Sequence, residues 1–236
     1  MTGILAIETG TEACSLATYR DGDYVERFEV TPRLHNQRFF ALLDDLLPEG
    51  GLARSGINAI AYGCGPGSFT GLRIAASAAQ GLAFASRLQA VAVCTLACQA
   101  QTALREYHLT DGVEVLSLLD ARIGEVYYAQ FVVADGKVTL RQSPRAAAPE
   151  YVALGPVGGE LYAVGSGCQF VDRFPSALRS MIARTEIDLM PHARDLIPLA
   201  LEKLSAGEVQ SPRDIRPVYV RDEISWKKIP EQGKRL

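Results

Sequence analysis

One pattern occurs twice in this chain. Ile4 to Ile7 is a short apolar run ending at Glu8, the small turn Thr9-Gly10-Thr11 follows, and Cys14 to Tyr19 is apolar again. Asp21-Gly22, a hairpin signal, leads into the alternating stretch Tyr24 to Val30. The same order returns about 110 residues later: Val115 to Asp120, the turn Ala121-Arg122-Ile123-Gly124, Glu125 to Val133, Asp135-Gly136, and Lys137 to Arg141. A duplicated three-stranded unit followed by α/β elements predicts two related lobes facing each other across a cleft. Each would be a mixed sheet with flanking helices, the first over residues 1–108 and the other over 109–236. The C-terminal lobe is expected to be reduced. Between Gln142 and Gly165 the residues are mostly Ala, Pro and Gly, with one strand candidate, Leu161 to Val164. Gly165-Ser166-Gly167 is a further glycine turn, Arg194 to Leu204 reads as a helix interrupted by Pro198, and the chain from Ser211 onward reads as extended.

The first lobe contains the most distinctive string, Tyr62-Gly63-Cys64-Gly65-Pro66-Gly67-Ser68-Phe69-Thr70-Gly71-Leu72-Arg73. It leaves an apolar strand (Ile57 to Tyr62) and enters an alanine-rich helix ending near Ser86. Glycine permits positive φ and close approach, and Ser68 or Thr70 can cap the helix. Such a helix N-terminus can receive an anion or a partner. The spacing is neither a Walker A loop nor a clean G-x-G-x-x-G.

Two helices frame this strand and turn. The first, from about His35 to Leu47, carries Phe39, Phe40, Leu42, Leu43, Leu46 and Leu47, a stripe wider than a one-sided surface helix needs. The other is small nearly all round, with Ala75, Ala76, Ala78, Ala79, Gly81, Ala83 and Ala85. Arg73, Ser77 and Gln80 mark one polar line on it. One face packs on the sheet; the surplus suggests a further apolar surface for a partner protein. A later strand, Val91 to Cys94, is followed by Thr95, a candidate cap for a helix running to about Tyr107.

Bulk properties narrow the function classes. The chain is 48% hydrophobic and 22% charged, an ordinary globular composition. No apolar run approaches the ~20 residues of a membrane span. Met1-Thr2-Gly3-Ile4-Leu5 lacks a basic n-region, so a secretory signal is not expected. Cys14, Cys64, Cys94, Cys98 and Cys168 form no C-x-x-C pair and read as reduced thiols of a cytoplasmic protein. The net charge of −3 argues against an autonomous nucleic-acid binder. The charge is unevenly placed, with net +3 over residues 211–236 and −6 elsewhere.

Glu8 with Thr9, Gly10 and Thr11 sits where a phosphate-binding hairpin of the actin, hexokinase and Hsp70 superfamily would lie. It also reads as a plain hairpin with a partly exposed acid. His35, His108 and His192 are isolated, and none has metal-ligand spacing to another ligand. His35 is expected at a surface or interface. A hydrolase built on Ser68 lacks the G-x-S-x-G elbow and an identifiable base.

Ile4-Leu5-Ala6-Ile7-Glu8-Thr9, Glu12-Ala13-Cys14-Ser15, His35 with Gln37-Arg38, and Gly65 through Ile74 resemble the TsaB (YeaZ) family. So do Gln80-Gly81-Leu82-Ala83, Asp120-Ala121-Arg122 with Gly124-Glu125-Val126-Tyr127, and Pro217 through Arg221 with Trp226-Lys227-Lys228. The resemblance spans nearly the whole chain and is weakest over 140–210. It implies an actin-like (RNase H-like) two-lobed fold and a non-catalytic role beside TsaD in forming threonylcarbamoyladenosine on tRNA. TsaE joins the same assembly, tRNA is met indirectly, and a homodimer is expected when TsaD is absent. TsaD holds its metal with His-x-x-x-His; here His35 is present but Phe39 stands at the other position, so no metal site is expected. No cofactor is expected in the isolated chain, nucleotide being left to the assembled complex. The implied partner surface comprises His35, Arg38, Phe39, Phe40, Leu43, Gly67, Ser68, Phe69, Thr70, Arg73, Ala75, Ser77, Ala79 and Gln80. The basic tail, Arg221, Lys227, Lys228, Lys234 and Arg235, reads either as a contact to tRNA phosphates or an acidic partner, or as a solvated terminus. The rival reading is an independent ATP-dependent enzyme using Thr9 and Thr11.

Overall fold

A computed structural model describes residues 2–48 and 51–220. The first sheet holds β1 (Gly3–Glu8), β2 (Ala13–Arg20), β3 (Asp23–Val30), β4 (Ala59–Gly65) and β5 (Gln89–Cys94) in the order β3-β2-β1-β4-β5. The other holds β6 (Glu114–Arg122), β7 (Glu125–Ala134), β8 (Lys137–Ala147), β9 (Leu161–Val164) and β10 (Ile182–Glu186) in the order β10-β9-β6-β7-β8. The two orders are the same once β6–β10 are set against β1–β5. In each, three antiparallel strands are followed by two strands running parallel to the first. The sequence repeat is therefore a structural repeat.

The helices are α1 (His35–Leu46), α2 (Phe69–Ser86), α3 (Thr95–Glu106), the single-turn α4 (Ser176–Arg179) and α5 (Ala193–Ser205). Every residue of β1 is buried, because helices cover both faces of its sheet. Leu5 and Ile7 face Phe39, Leu42 and Ala79 of α1 and α2. Ile4 and Ala6, pointing the other way, meet Ala193, Leu196, Ile197 and Ala200 of α5. Helix α3 lays Leu96, Ala100 and Ala103 on the C-terminal sheet beside Val115, Leu119 and Phe131. In the C-terminal lobe the crossover between β9 and β10 is a 3-10 turn (Ser166–Arg173) with α4, where the first lobe has the full-length α2. Between β8 and β9, the stretch where reduction is expected, a 3-10 turn (Pro149–Tyr151) stands where the first lobe has α1, but the sheet itself is not reduced and has five strands like the first.

Several boundaries differ from expectation. β8 runs on to Ala147, because β7 continues to pair it as far as Val126. β10 is an additional strand; its Ile-Ala-Arg-Thr-Glu sequence is mostly exposed at a sheet edge and gives little alternation. α5 continues through Pro198, held between the first sheet and α3. Chain from the C-terminal half thus completes the first sheet, and packing does not follow the linear cut at residue 108. A strap over residues 210–220 returns there too. Gln210 exchanges backbone bonds with Ala90, Ile215 enters the core, and the Val218 N–H donates to the Cys64 carbonyl at 2.8 Å.

Candidate partner-docking site

The glycine string works first as a clamp. The Thr9 hydroxyl donates to the Gly71 carbonyl at 2.7 Å, and the Ser68 N–H donates to the Gly10 carbonyl at 2.7 Å. A Cβ on Gly67 would strike the Gly10 carbonyl oxygen, and one on Gly71 would strike that of Thr9. Glycine is required here because two backbones lie in contact, which spacing alone only hints at. The first hairpin turn is therefore closed onto the N-terminus of α2.

Glu8 ends β1 wholly buried, so it is not the partly exposed acid of a plain hairpin. The Gly10 N–H donates to its Oε1 at 2.6 Å, and the Thr95 hydroxyl donates to its Oε2 at 3.2 Å. Burial pushes the carboxyl up to about 7 against the pull of those bonds. Thr95 is not the cap of α3 that its sequence position implies; Cys94 occupies that position, and the Thr95 hydroxyl serves Glu8.

A phosphate at this turn would need free hydroxyls and N–H groups. Thr9 is fully buried with its hydroxyl spent on Gly71, and the Gly10 N–H is spent on Glu8. Thr11 accepts from the Ala13 N–H at 3.2 Å. These residues do not fit a phosphate group. The opposite turn approaches through Arg122, whose guanidinium lies 3.8 Å from Glu12.

Of the implied surface residues, the structure turns five inward. Phe39, Leu43, Ala75 and Ala79 belong to the core between the two helices and the first sheet. His35 is buried, its Nε2 3.2 Å from the Ala13 carbonyl oxygen, and so is not a surface residue. The small side chains of α2 serve its close approach to the sheet. Gly67 is half-buried at the clamp, Ser68 accepts the capping bond from the Gly71 N–H at 3.4 Å, and Thr70 is exposed.

What remains outward lies on one side of α2 and on the adjacent helix α1. Phe69, Arg73, Ser77, Gln80 and Phe84 fall on one side of α2 at helical spacing, and Phe40 stands on neighbouring α1. Phe40 is 65% exposed, Phe69 57% and Phe84 72%. Phe84 is missing from the surface that the resemblance implies, although it continues the line set by Arg73, Ser77 and Gln80. Arg38 is held by Glu29 through two bonds of 2.7 and 2.6 Å, and Gln80 donates to the Pro212 carbonyl of the strap at 2.9 Å. Exposed large aromatics grouped on two adjacent helices have the composition of a protein interface.

Among the described residues no group of three or more His, Cys, Asp or Glu side chains could hold a metal ion, and no helix is long and apolar enough to cross a membrane. Ser68 has no histidine bonded to it; His35 and His192 are engaged elsewhere, His192 with Glu26 at 3.1 Å. The basic tail lies outside the described residues.

Two matching sheets with shared helices define an actin-like protein, and residues 28–177 match the family model described as TsaD, tRNA N6-adenosine threonylcarbamoyltransferase. At the level of whole chains the similarity is to a different branch. The chain is 38% identical to the tRNA threonylcarbamoyladenosine biosynthesis protein TsaB of Escherichia coli, covering 96% of this chain and 98% of that one. It is 32% identical to TsaB of Haemophilus influenzae, covering 96% and 97%. The solved structure of YeaZ from Pseudomonas aeruginosa superposes with a TM-score of 0.85 at 39% identity, covering 93% of this chain and all of that one. The chain belongs to the TsaB family.

Proposed function

We propose that this chain acts in threonylcarbamoyladenosine modification of tRNA as a non-catalytic partner of a TsaD-type transferase. It docks through the outer faces of α1 and α2 and takes part in an assembly that includes TsaE. The tRNA is met through the assembly, in the cytoplasm, and the same face pairs two copies when the transferase is absent. The observation that carries this reading is the face itself, with Phe40, Phe69 and Phe84 in solvent on adjacent helices. It is supported by the inward turn of Thr9 and Gly10, which leaves the first lobe without a phosphate cradle of its own. His35 and Phe39, at the positions of a metal motif in the transferase branch, are here a carbonyl-bonded ring and a core residue.

The rival, an independent ATP-dependent enzyme, would need Thr9 to leave Gly71 and Gly10 to leave Glu8. The test is threonylcarbamoyl transfer to unmodified tRNA by reconstituted TsaD and TsaE, with and without this chain. Activity that vanishes on omission, with none from this chain alone, is expected. Full activity without it would refute the proposal. Steady ATP hydrolysis by the purified chain, lost in Thr9→Ala, would establish the rival.

A further inference from the structure

Helix α2 runs for 18 residues and contains a single ionisable side chain, Arg73. An outward helical face in a lone soluble protein ordinarily carries several charges. This guanidinium is also held unusually. It lies 3.8 Å over the Phe69 ring centroid, and its Nε donates to the Tyr219 hydroxyl at 3.2 Å. The Phe69 and Tyr219 rings are themselves 5.8 Å apart.

Tyr219 is not carried there by a loose end. The strap that brings it is tied at Gln210 to Ala90, at Gln210 and Arg216 to the buried Tyr62 hydroxyl, and at Val218 to Cys64. Tyr219 nevertheless remains 45% exposed. Three arginines of the first lobe and its flanking helices, Arg27, Arg38 and Arg105, are paired with Asp45, Glu29 and Asp195. Among the described residues, Arg73 has no such partner, and no acceptor engages its two terminal nitrogens.

We propose that Phe69, Arg73 and Tyr219 form a clip for a carboxylate of the partner protein, an Asp or Glu side chain flanked by apolar groups on the TsaD-family transferase. This rests on the docking reading above and names the chemistry of its centre. The two terminal nitrogens present a planar fork suited to bidentate contact with a carboxylate. The ring face of Phe69 and the Tyr219 hydroxyl fix the fork in advance, which reduces the ordering cost of association. Tyrosine and arginine in such a setting are the residue types that dominate binding energy. Another copy of this chain meeting it α2 against α2 is the poorer occupant, because α2 has no acid; the acids on the α1 part of the face are Asp44 and Asp45, the latter held by Arg27.

The test is the Kd of the full chain with the TsaD-family protein of the same organism, by calorimetry at low and high salt. Arg73→Gln is expected to weaken binding by about 10- to 100-fold and to flatten its salt dependence. Tyr219→Ala should weaken it by a smaller factor, and Tyr219→Phe, which keeps the ring but frees Nε, should fall between Tyr219→Ala and the parent. Both positions are on the surface, and thermal melts of each variant check that the fold is retained. Arg73→Gln with Kd and salt slope unchanged would overturn the clip. If Phe40→Ser and Phe84→Ser still weaken binding in that case, the docking face survives without it. If no complex forms with the parent chain, both ideas fall. If Arg73→Gln dissolves a homodimer and spares the heteromeric complex, the occupant is another copy of this chain and the assignment is wrong.

Discussion

Glu8 gives the sharpest handle on the clamp that positions α2. Its ordinary value is 4.5, and burial raises it to about 7 in the fold. Between those two values the folded chain binds a proton that the unfolded chain has released. Stability is thus highest below about pH 4.5 as far as this group is concerned, falls as the pH climbs through the window, and levels off above about pH 7. A difference of about 2.5 units corresponds to roughly 3 kcal/mol at the plateau. Glu8→Gln keeps an oxygen acceptor for the Gly10 N–H, places an amide beside the Thr95 hydroxyl, and cannot ionise. The expected result is a variant whose stability no longer falls across that window. Its advantage over the parent should grow from near zero at about pH 4.5 to roughly 3 kcal/mol above about pH 7. Urea unfolding at a series of pH values, read by far-UV dichroism, measures this directly. Parallel pH profiles for the two proteins would refute the reasoning, because they would mean that the buried carboxyl gains no protons on folding.

Three further outcomes are expected. Gly71→Ala drives a methyl into the Thr9 carbonyl oxygen and should lower the urea midpoint by the equivalent of about 1–3 kcal/mol, with loss of transferase binding. Ala79→Arg should abolish folding rather than selectively block pairing, because Ala79 is completely buried; a soluble, cooperatively melting A79R protein would contradict this. Tyr62→Phe removes the hydroxyl that holds Gln210 and Arg216 and should cost about 1 kcal/mol, with faster amide exchange at Val218 as the local sign that the strap has loosened.

The duplicated hairpins are legible in the sequence because a two-residue period and Asp-Gly turns are local signals, and both sheets form as that pattern predicts. The alanine-rich helix is legible as a helix, but not which side of it meets the sheet. With Ala at 75, 76, 78, 79, 83 and 85, periodicity cannot distinguish a core stripe from a small-residue docking stripe. The line through Arg73, Ser77 and Gln80 holds the answer, since polar positions mark the outer face and Phe84 extends it. Phe39 and Leu43 are core for a related reason: a wide stripe says that a helix is well buried without saying against what. Thr9 cannot be placed from sequence, because a hydroxyl in a turn looks the same whether it faces a phosphate or a carbonyl 62 residues away. The roles of α5 and the strap are non-local contacts, which no window along the chain can reveal.

The position of α5 has a consequence for how this protein comes to exist. Ile4, Ala6 and Ala17 lie near the start of the chain, yet their apolar cover is Ala193, Leu196, Ile197 and Ala200. A ribosome delivers the β1–β2 hairpin long before it delivers that cover. One side of the first sheet must wait, wet and adhesive, while the whole C-terminal sheet is synthesised. Closure by distant segments is slow compared with local folding, so this interval is when the nascent chain is most open to aggregation. A fragment cut after residue 108 should inherit that state permanently.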